Sequence, residues 1–177
     1  MSGIVNSTGA ISGVIGTTVG TPAGGITHAA SWRIHTNFTG SGVVTDNWEQ
    51  TDTDGYGNLG AVMTQASGVF TFPTTGYWLI TAFGQFNYTG ISHYNGFMIQ
   101  STVDNGTYTD ATENYCGIPD ESETMRNMTT TSFQFDVTST TTHKIKFKTV
   151  VANASVTLRG QGGSNCTHVT FIKLAGT

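Results

Sequence analysis

Charge is what this chain has least of. Only 10% of its 177 residues are Asp, Glu, Lys or Arg, against roughly 25% in an average soluble domain. The formal net charge of −4 leaves no basic footprint for nucleic acid or for an anionic membrane surface. Proline is scarce, with three residues, and cysteine scarcer, with two. Cys116 and Cys166 lie far apart without a Cys-x-x-Cys spacing, so a disulfide scaffold is excluded and two unpaired thiols are expected. No segment approaches the roughly 18 consecutive apolar residues of a membrane span. The N-terminus lacks the positive start and undiluted apolar run of a secretion signal.

What is present is glycine, with 23 residues, together with abundant serine and threonine. Hydroxyls and turns therefore carry the solubility that charge usually supplies. Low charge with many β-branched residues predicts an all-β protein rather than a helical or disordered one. At this length the chain builds one domain with a substantial core.

The first charged residue is Arg33. Residues 1–30 form a neutral arm with scattered aliphatics, among them Ile4, Val5, Ile11, Val14, Ile15 and Val19. Ser12-Gly13, Thr21-Pro22 and Gly24-Gly25 interrupt any helix there. Such an arm cannot bury enough apolar area to fold alone, yet it is too apolar for a purely solvated tail. We expect it to order along another surface, with Ile4, Val5, Ile11, Val14 and Ile15 as the docking residues.

From Ser31 to Thr177 the chain reads as one domain of short strands separated by turn signals. Trp32 and Ile34 begin a first strand; residues 41–49 and 58–63 predict two more around the loop Thr51–Gly57. Residues 68–80 carry the strongest pattern. Two aromatic and aliphatic strands flank a turn built on Pro73, whose φ is preset, and Gly76, which is free to take φ > 0. The second strand breaks the usual alternation, because its even face holds Trp78, Ile80, Ala82 and Phe86 while its odd face holds Tyr77, Leu79 and Phe83. A strand apolar on both faces must be covered twice. One cover is the domain's own core, and the expected second cover is another subunit. Phe97, Ile99 and Val103 share a face of a following strand. The polar stretch 104–127 is long enough to carry short elements of its own. Clean alternation returns at Phe133, Phe135 and Val137, at Ile145 and Phe147, at Ala154, Val156 and Leu158, and in a closing strand from Thr167 to Leu174. Eight to ten short strands around one core describe a β-sandwich or jelly roll.

The order of these signals resembles the TNF-like jelly roll shared by tumour necrosis factor and the globular heads of the first complement component. The residues that carry the resemblance are Gly68-x-Phe70-Thr71-x-Pro73-x-x-Gly76-Tyr77 running into an aromatic strand, the preceding Asn58-Leu59-Gly60, and the closing strand 167–174. The resemblance spans residues 31–177. It implies a threefold trimer whose axis is packed by the strand after that motif, through either Tyr77, Leu79 and Phe83 or Trp78, Ile80 and Phe86. The collagen stalk, membrane anchor and secretion signal of relatives are not evident. The N-terminus Met1-Ser2-Gly3-Ile4-Val5 is similar instead to that of small structural proteins of marine tailed phages.

Chemical motifs are few. Gly55-x-Gly57-x-x-Gly60 matches a dinucleotide fingerprint in letters, but Ala61-Val62-Met63 after it is strand-like, where that chemistry needs a helix. Asp46, Asp52 and Asp54 fit no complete calcium loop, and Asp110, Glu113, Asp120, Glu121 and Glu123 read likewise as solvated acids. His28, His35, His93, His143 and His168 have no metal-ligand spacing. Lys144, Lys146 and Lys148 make a basic stripe, read as a charged outer face that discourages sheet aggregation. No nucleophile signature appears. We therefore expect no enzymatic activity and no cofactor. The expected role is a trimeric, non-enzymatic virion structural protein of a tailed phage, anchored to other virion proteins by its arm as a capsid decoration or cement protein. The alternatives are a phage fibre or fibre-tip protein that binds a host-surface glycan or protein, and a soluble carbohydrate- or protein-binding module using Tyr88, Tyr94, Tyr108 and Tyr115. Contact with nucleic acid and insertion into a membrane are not expected.

Overall fold

The computed structural model describes residues 25–177, and every regular element among them is a strand. Five strands of the first sheet come from the N-terminal part and the middle of the described chain. They are β1 (Ala29–Ile34), β2 (Phe38–Thr39), β4 (Trp48–Gln50), β7 (Gly76–Tyr88) and β11 (Met125–Val137). β13 (Thr157–Leu158) and β14 (His168–Ala175) complete it. The second sheet contains β3 (Gly42–Val43), β5 (Thr64–Ala66), β6 (Val69–Thr71), β8 (Ser92–Thr102), β9 (Thr109–Thr112), β10 (Tyr115–Ile118) and β12 (Lys144–Val151).

β7 is the centre of the first sheet. One of its edges pairs with β11 over its whole length, from Gly76↔Val137 to Tyr88↔Met125. The other edge pairs first with β14, from Tyr77 to Phe83, and then with β13 at Phe86 and Asn87. β1 follows β14, and β4 closes that side. In the second sheet the order is β10-β8-β12-β6-β5, with β9 on β8 and β3 on β12. All pairings are antiparallel. Two antiparallel sheets packed face to face, with long connections between them, are the jelly-roll sandwich expected from the strand spacing.

The core lies between the sheets and is aromatic. Phe70 is the hub: Trp32, Trp48 and Phe147 meet it edge-on, and Phe171 packs at 5.4 Å. Each such ring is apolar area removed from water, stabilising by about 1.5–3 kcal/mol. The two buried indoles also keep their N–H groups satisfied, since Trp48 donates to the Val44 carbonyl at 2.8 Å and Trp78 to the Thr74 carbonyl at 3.2 Å. Gly76 stands at φ 137° as the first residue of β7, where the turn enters the strand, a conformation that a side chain would strain.

Several local expectations need correction. Residues 58–63 do not form a strand; only Leu59 bridges to Ala29. Residues 41–49 split into β3 and β4, because Asn47 turns into the left-handed region at φ 68°. Val103 does not share the fate of Phe97 and Ile99: it lies past the end of β8 and is 62% exposed. The first strand begins at Ala29, two residues before the start expected for the domain. Both cysteines are free. The arm residues Ile4, Val5, Ile11, Val14 and Ile15 lie outside the described residues.

Candidate functional site: the outer face of the β7 sheet

Alternation along β7 sends Trp78, Ile80, Ala82 and Phe86 inward, and all four are completely buried. Trp78 packs on Phe72 at 5.3 Å, and Ile80 and Phe86 belong to the same cluster. These residues are core. Trp78, Ile80 and Phe86 therefore cannot line a contact between subunits, and that half of the expected interface set is withdrawn. The physical reason is that both packed sheets already cover them.

Tyr77, Leu79 and Phe83 point outward. Tyr77 is 38% exposed, while Leu79 and Phe83 are half-buried by their strand neighbours alone. β14 widens the apolar strip, because Ile172 stands opposite Leu79 and Leu174, 44% exposed, lies at the strand's end. His168 stands opposite Phe83 and its imidazole stacks on that ring, centroids 4.5 Å apart and planes 14° from parallel. Burial pushes the His168 imidazole below its ordinary value, against a partly opposing hydrogen bond with the Asn165 carbonyl. The neutral ring is thus the form the site favours.

The strip has different borders on its two sides. On β11 the facing residues are Asp136, Gln134, Ser132, Thr130 and Met128, so the border is one carboxylate, then amide and hydroxyl, with one exposed methionine. On β1 the facing residues are Ala29, Ser31 and Arg33. Arg33 is nearly sealed from water, with a 2% exposed side chain. Its guanidinium donates to Glu49 at 2.6 Å, to Thr53 at 2.8 Å and to Asp52. Burial alone would lower its pKa, but the hydrogen bonds and charges of Glu49 and Asp52 outweigh that and raise it. This network ties the loop after β4 down onto β1. Tyr56 completes the tie: its hydroxyl accepts from the Ser31 amide and donates to Asn58 at 2.6 Å. Between Tyr56 and Phe171 lies a small apolar cavity of about 140 Å³, floored by Ala29, Ala30 and Ile172.

Sequence reasoning found the β7 half of this surface and missed the β14 half. Its trace was there, in the alternation of His168, Thr170, Ile172 and Leu174 against Val169 and Phe171. Asp52, read as a solvated acid, is instead a partner of Arg33. The lysine stripe is not a free charged face either. Lys144 is buried and donates to Thr71 at 3.0 Å and to the Thr140 carbonyl at 2.6 Å, Lys146 lies 3.8 Å over the Tyr108 ring, and Lys148 pairs with Asp110 at 2.8 Å. Among the described residues, no three His, Cys, Asp or Glu side chains are placed to hold a metal ion together.

Sheet order, the aromatic core and an apolar outer face on the central strand define a TNF-like jelly-roll domain. Solved structures with this fold include murine APRIL at pH 5.0, with a TM-score of 0.58 and 16% identity over 83% of this chain and 98% of that one. Eiger TNF from S. frugiperda is a second, with a TM-score of 0.55 and 15% identity over 84% of this chain and 93% of its own. At that level of identity the likeness is one of fold. No protein-family model and no curated protein matches the sequence.

Proposed function

We propose that this protein is a non-enzymatic structural subunit of a virus particle, of the kind carried by tailed phages. Three copies pack through the outer face of β7 and β14 into a threefold head. Residues 1–30 anchor that head to other virion proteins, as a capsid decoration or cement protein does, after assembly in the host cytoplasm. The observation that carries the reading is the apolar set Tyr77, Leu79, Phe83 and Ile172, with exposed Leu174 at the strand's end, on the outer face of the domain's central strand pair. An apolar surface with a polar border marks an association surface, and this one is crossed midway by the Thr81–Thr170 pair. The fold adds the threefold geometry expected of TNF-like heads. The neutral, aliphatic arm adds the anchor, and its similarity to phage structural proteins adds the setting.

Sedimentation equilibrium of the full chain at micromolar concentration tests the assembly. One chain is 18.7 kDa, so a trimer is three times that mass, 56.1 kDa. A stable single-chain mass overturns the reading. Removing residues 1–24, which leaves β1 and its pairing with β14 whole, should leave the trimer intact and abolish co-sedimentation with phage capsids that lack their own copy of this protein.

A further inference from the structure

The sequence holds two Asn-Gly pairs, Asn95-Gly96 and Asn105-Gly106, and folding gives them opposite surroundings. In this dipeptide a backbone nitrogen reaches the preceding carboxamide most easily, because no Cβ on the second residue stands in the way. Asn95 lies inside β8, paired with Val151 on one side and Cys116 on the other. It is fully buried, and its carboxamide accepts from the Ser92 hydroxyl at 2.7 Å and donates to the Cys116 carbonyl at 3.2 Å. The ladder would have to open on both sides before that side chain could turn onto the Gly96 nitrogen.

Asn105 stands in the loop between β8 and β9. Its φ of 59° is left-handed, a conformation asparagine accepts more readily than most side chains. Residues 103–107 are all exposed, so no packing holds the loop. What holds it is one carboxylate oxygen. Asp104 Oδ1 accepts from the Thr102 hydroxyl at 2.7 Å, from the Gly106 amide at 2.8 Å and from the Thr107 amide at 2.9 Å. The nitrogen that would attack the Asn105 carboxamide is therefore tethered to the side chain of Asp104. These bonds, the one from Thr102 foremost, keep the Asp104 carboxyl below its ordinary range, so the tether is ionised at neutral pH.

We propose that Asn105 is a site of spontaneous deamidation, with Asp104 as the restraint that sets its pace. The Gly106 nitrogen bonds to Asn105 Cγ, the Cγ–Nδ2 bond breaks, and Nδ2 leaves as ammonia with the proton given up by the Gly106 amide. The five-membered imide that remains takes up one water. Opening at Cγ gives aspartate in the original backbone. Opening at the main-chain carbonyl gives an iso-aspartyl linkage, in which the chain runs through Cβ and Cγ. Either product adds one negative charge to the formal net charge of −4, beside Asp104. The iso-aspartyl form also lengthens the loop leading into β9 by a methylene.

The test incubates the full chain at neutral pH and follows the exchange of NH2 for OH by mass. Chymotryptic cleavage between Phe97 and Met98 puts Asn95 and Asn105 on separate fragments. In the folded protein conversion should accumulate at Asn105 and run about a hundredfold or more slower at Asn95. In urea the two should convert at similar rates, which assigns the difference to the fold. Asp104→Ala frees the Gly106 nitrogen and should speed conversion about fivefold. Gly106→Ala should slow it about tenfold. The added Cβ meets nothing nearer than Asp104 Oδ1 at 3.4 Å, so the loop should tolerate it. Folded Asn105 as resistant as folded Asn95, similar rates in urea and in the folded protein at both positions, or slower conversion in Asp104→Ala would overturn the proposal.

Discussion

β7 offers two faces of opposite fate, the inner one almost wholly apolar and the outer one mixing Tyr77, Leu79 and Phe83 with Thr81 and Gln85. Trp78, Ile80 and Phe86 are sealed between the sheets, whereas Tyr77, Leu79 and Phe83 are covered only by neighbours on the same sheet. The difference shows that apolarity along a strand says a face will be covered without saying by what. The inner face is satisfied within the same chain, by Phe72 just before the turn and by the distant Phe171 of the same core cluster. The outer face has no such partner among the described residues, and in the trimer proposed above another copy would cover it.

Substitutions that treat the two faces differently make this contrast measurable. The largest effect is expected for Trp78→Ala, which opens a cavity in the core and should cost about 3–5 kcal/mol of domain stability. Urea unfolding of the protein should show it as a lowered midpoint at unchanged slope. A loss under about 1 kcal/mol would mean that the inner face is less tightly packed than its zero exposure implies.

Next comes Glu49→Ala. It leaves Arg33 nearly buried with only Asp52 as an acidic partner, and Asp52 is 77% exposed. The cost should be about 2 kcal/mol, below the figure for a fully buried pair because solvent screens the remaining partner. Thermal unfolding and proteolysis at the loop after β4 should both report it, and an unchanged protein would mean that Asp52 and Thr53 alone suffice.

Leu79→Asp should change domain stability by about 1 kcal/mol or less, because the site is half open to water. Its effect falls on association instead: sedimentation should give folded single chains. Retention of the trimer would move the interface elsewhere on the domain.

The smallest effect concerns pH. His168 has a lowered pKa in the folded protein, so the unfolded chain takes up its proton first as pH falls. Stability present above the ordinary histidine value of 6.5 should therefore decline as pH drops below it, until the folded-state value is passed. The groups facing this ring are Phe83 from β7 and Arg33 from β1, with the Asn165 carbonyl beside it, and none is an acid that would stabilise the charged form. Burial of the same face by another copy should deepen the decline, so dissociation in mild acid is expected. His168→Gln should flatten it. An unaltered pH profile in that variant would assign the acid response to another group, such as His28, whose pKa is lowered by burial and by the nearby Lys173.

Much of the fold was legible because its signals are local. Period-two alternation marked β11, β12 and β14, while a run apolar on both faces marked β7 and Pro73 with Gly76 marked the turn that launches it. The places where reading failed are non-local. Val103 continues the apolar pattern of β8 but stands beyond the last pairing with β12, so nothing packs on it. Ala61 and Val62 look like strand residues, yet they pair with no strand, and β5 begins only at Thr64. The lysines of β12 look like a solvated stripe, and only folding brings Thr71, Tyr108 and Asp110 to meet them.

From its residues alone, then, the chain determined an all-β domain, its principal strands and the two apolar faces of β7, since each depends on side chains a few positions apart. Which of those faces is inside, and that His168, Ile172 and Leu174 extend the other, was decided by strand pairing across some 90 residues of sequence, as between Phe83 and His168. A strand's period of two defines a pair of faces without distinguishing them. The choice belongs to whichever arrangement of the whole sandwich buries the most aromatic area while leaving Arg33 its carboxylates.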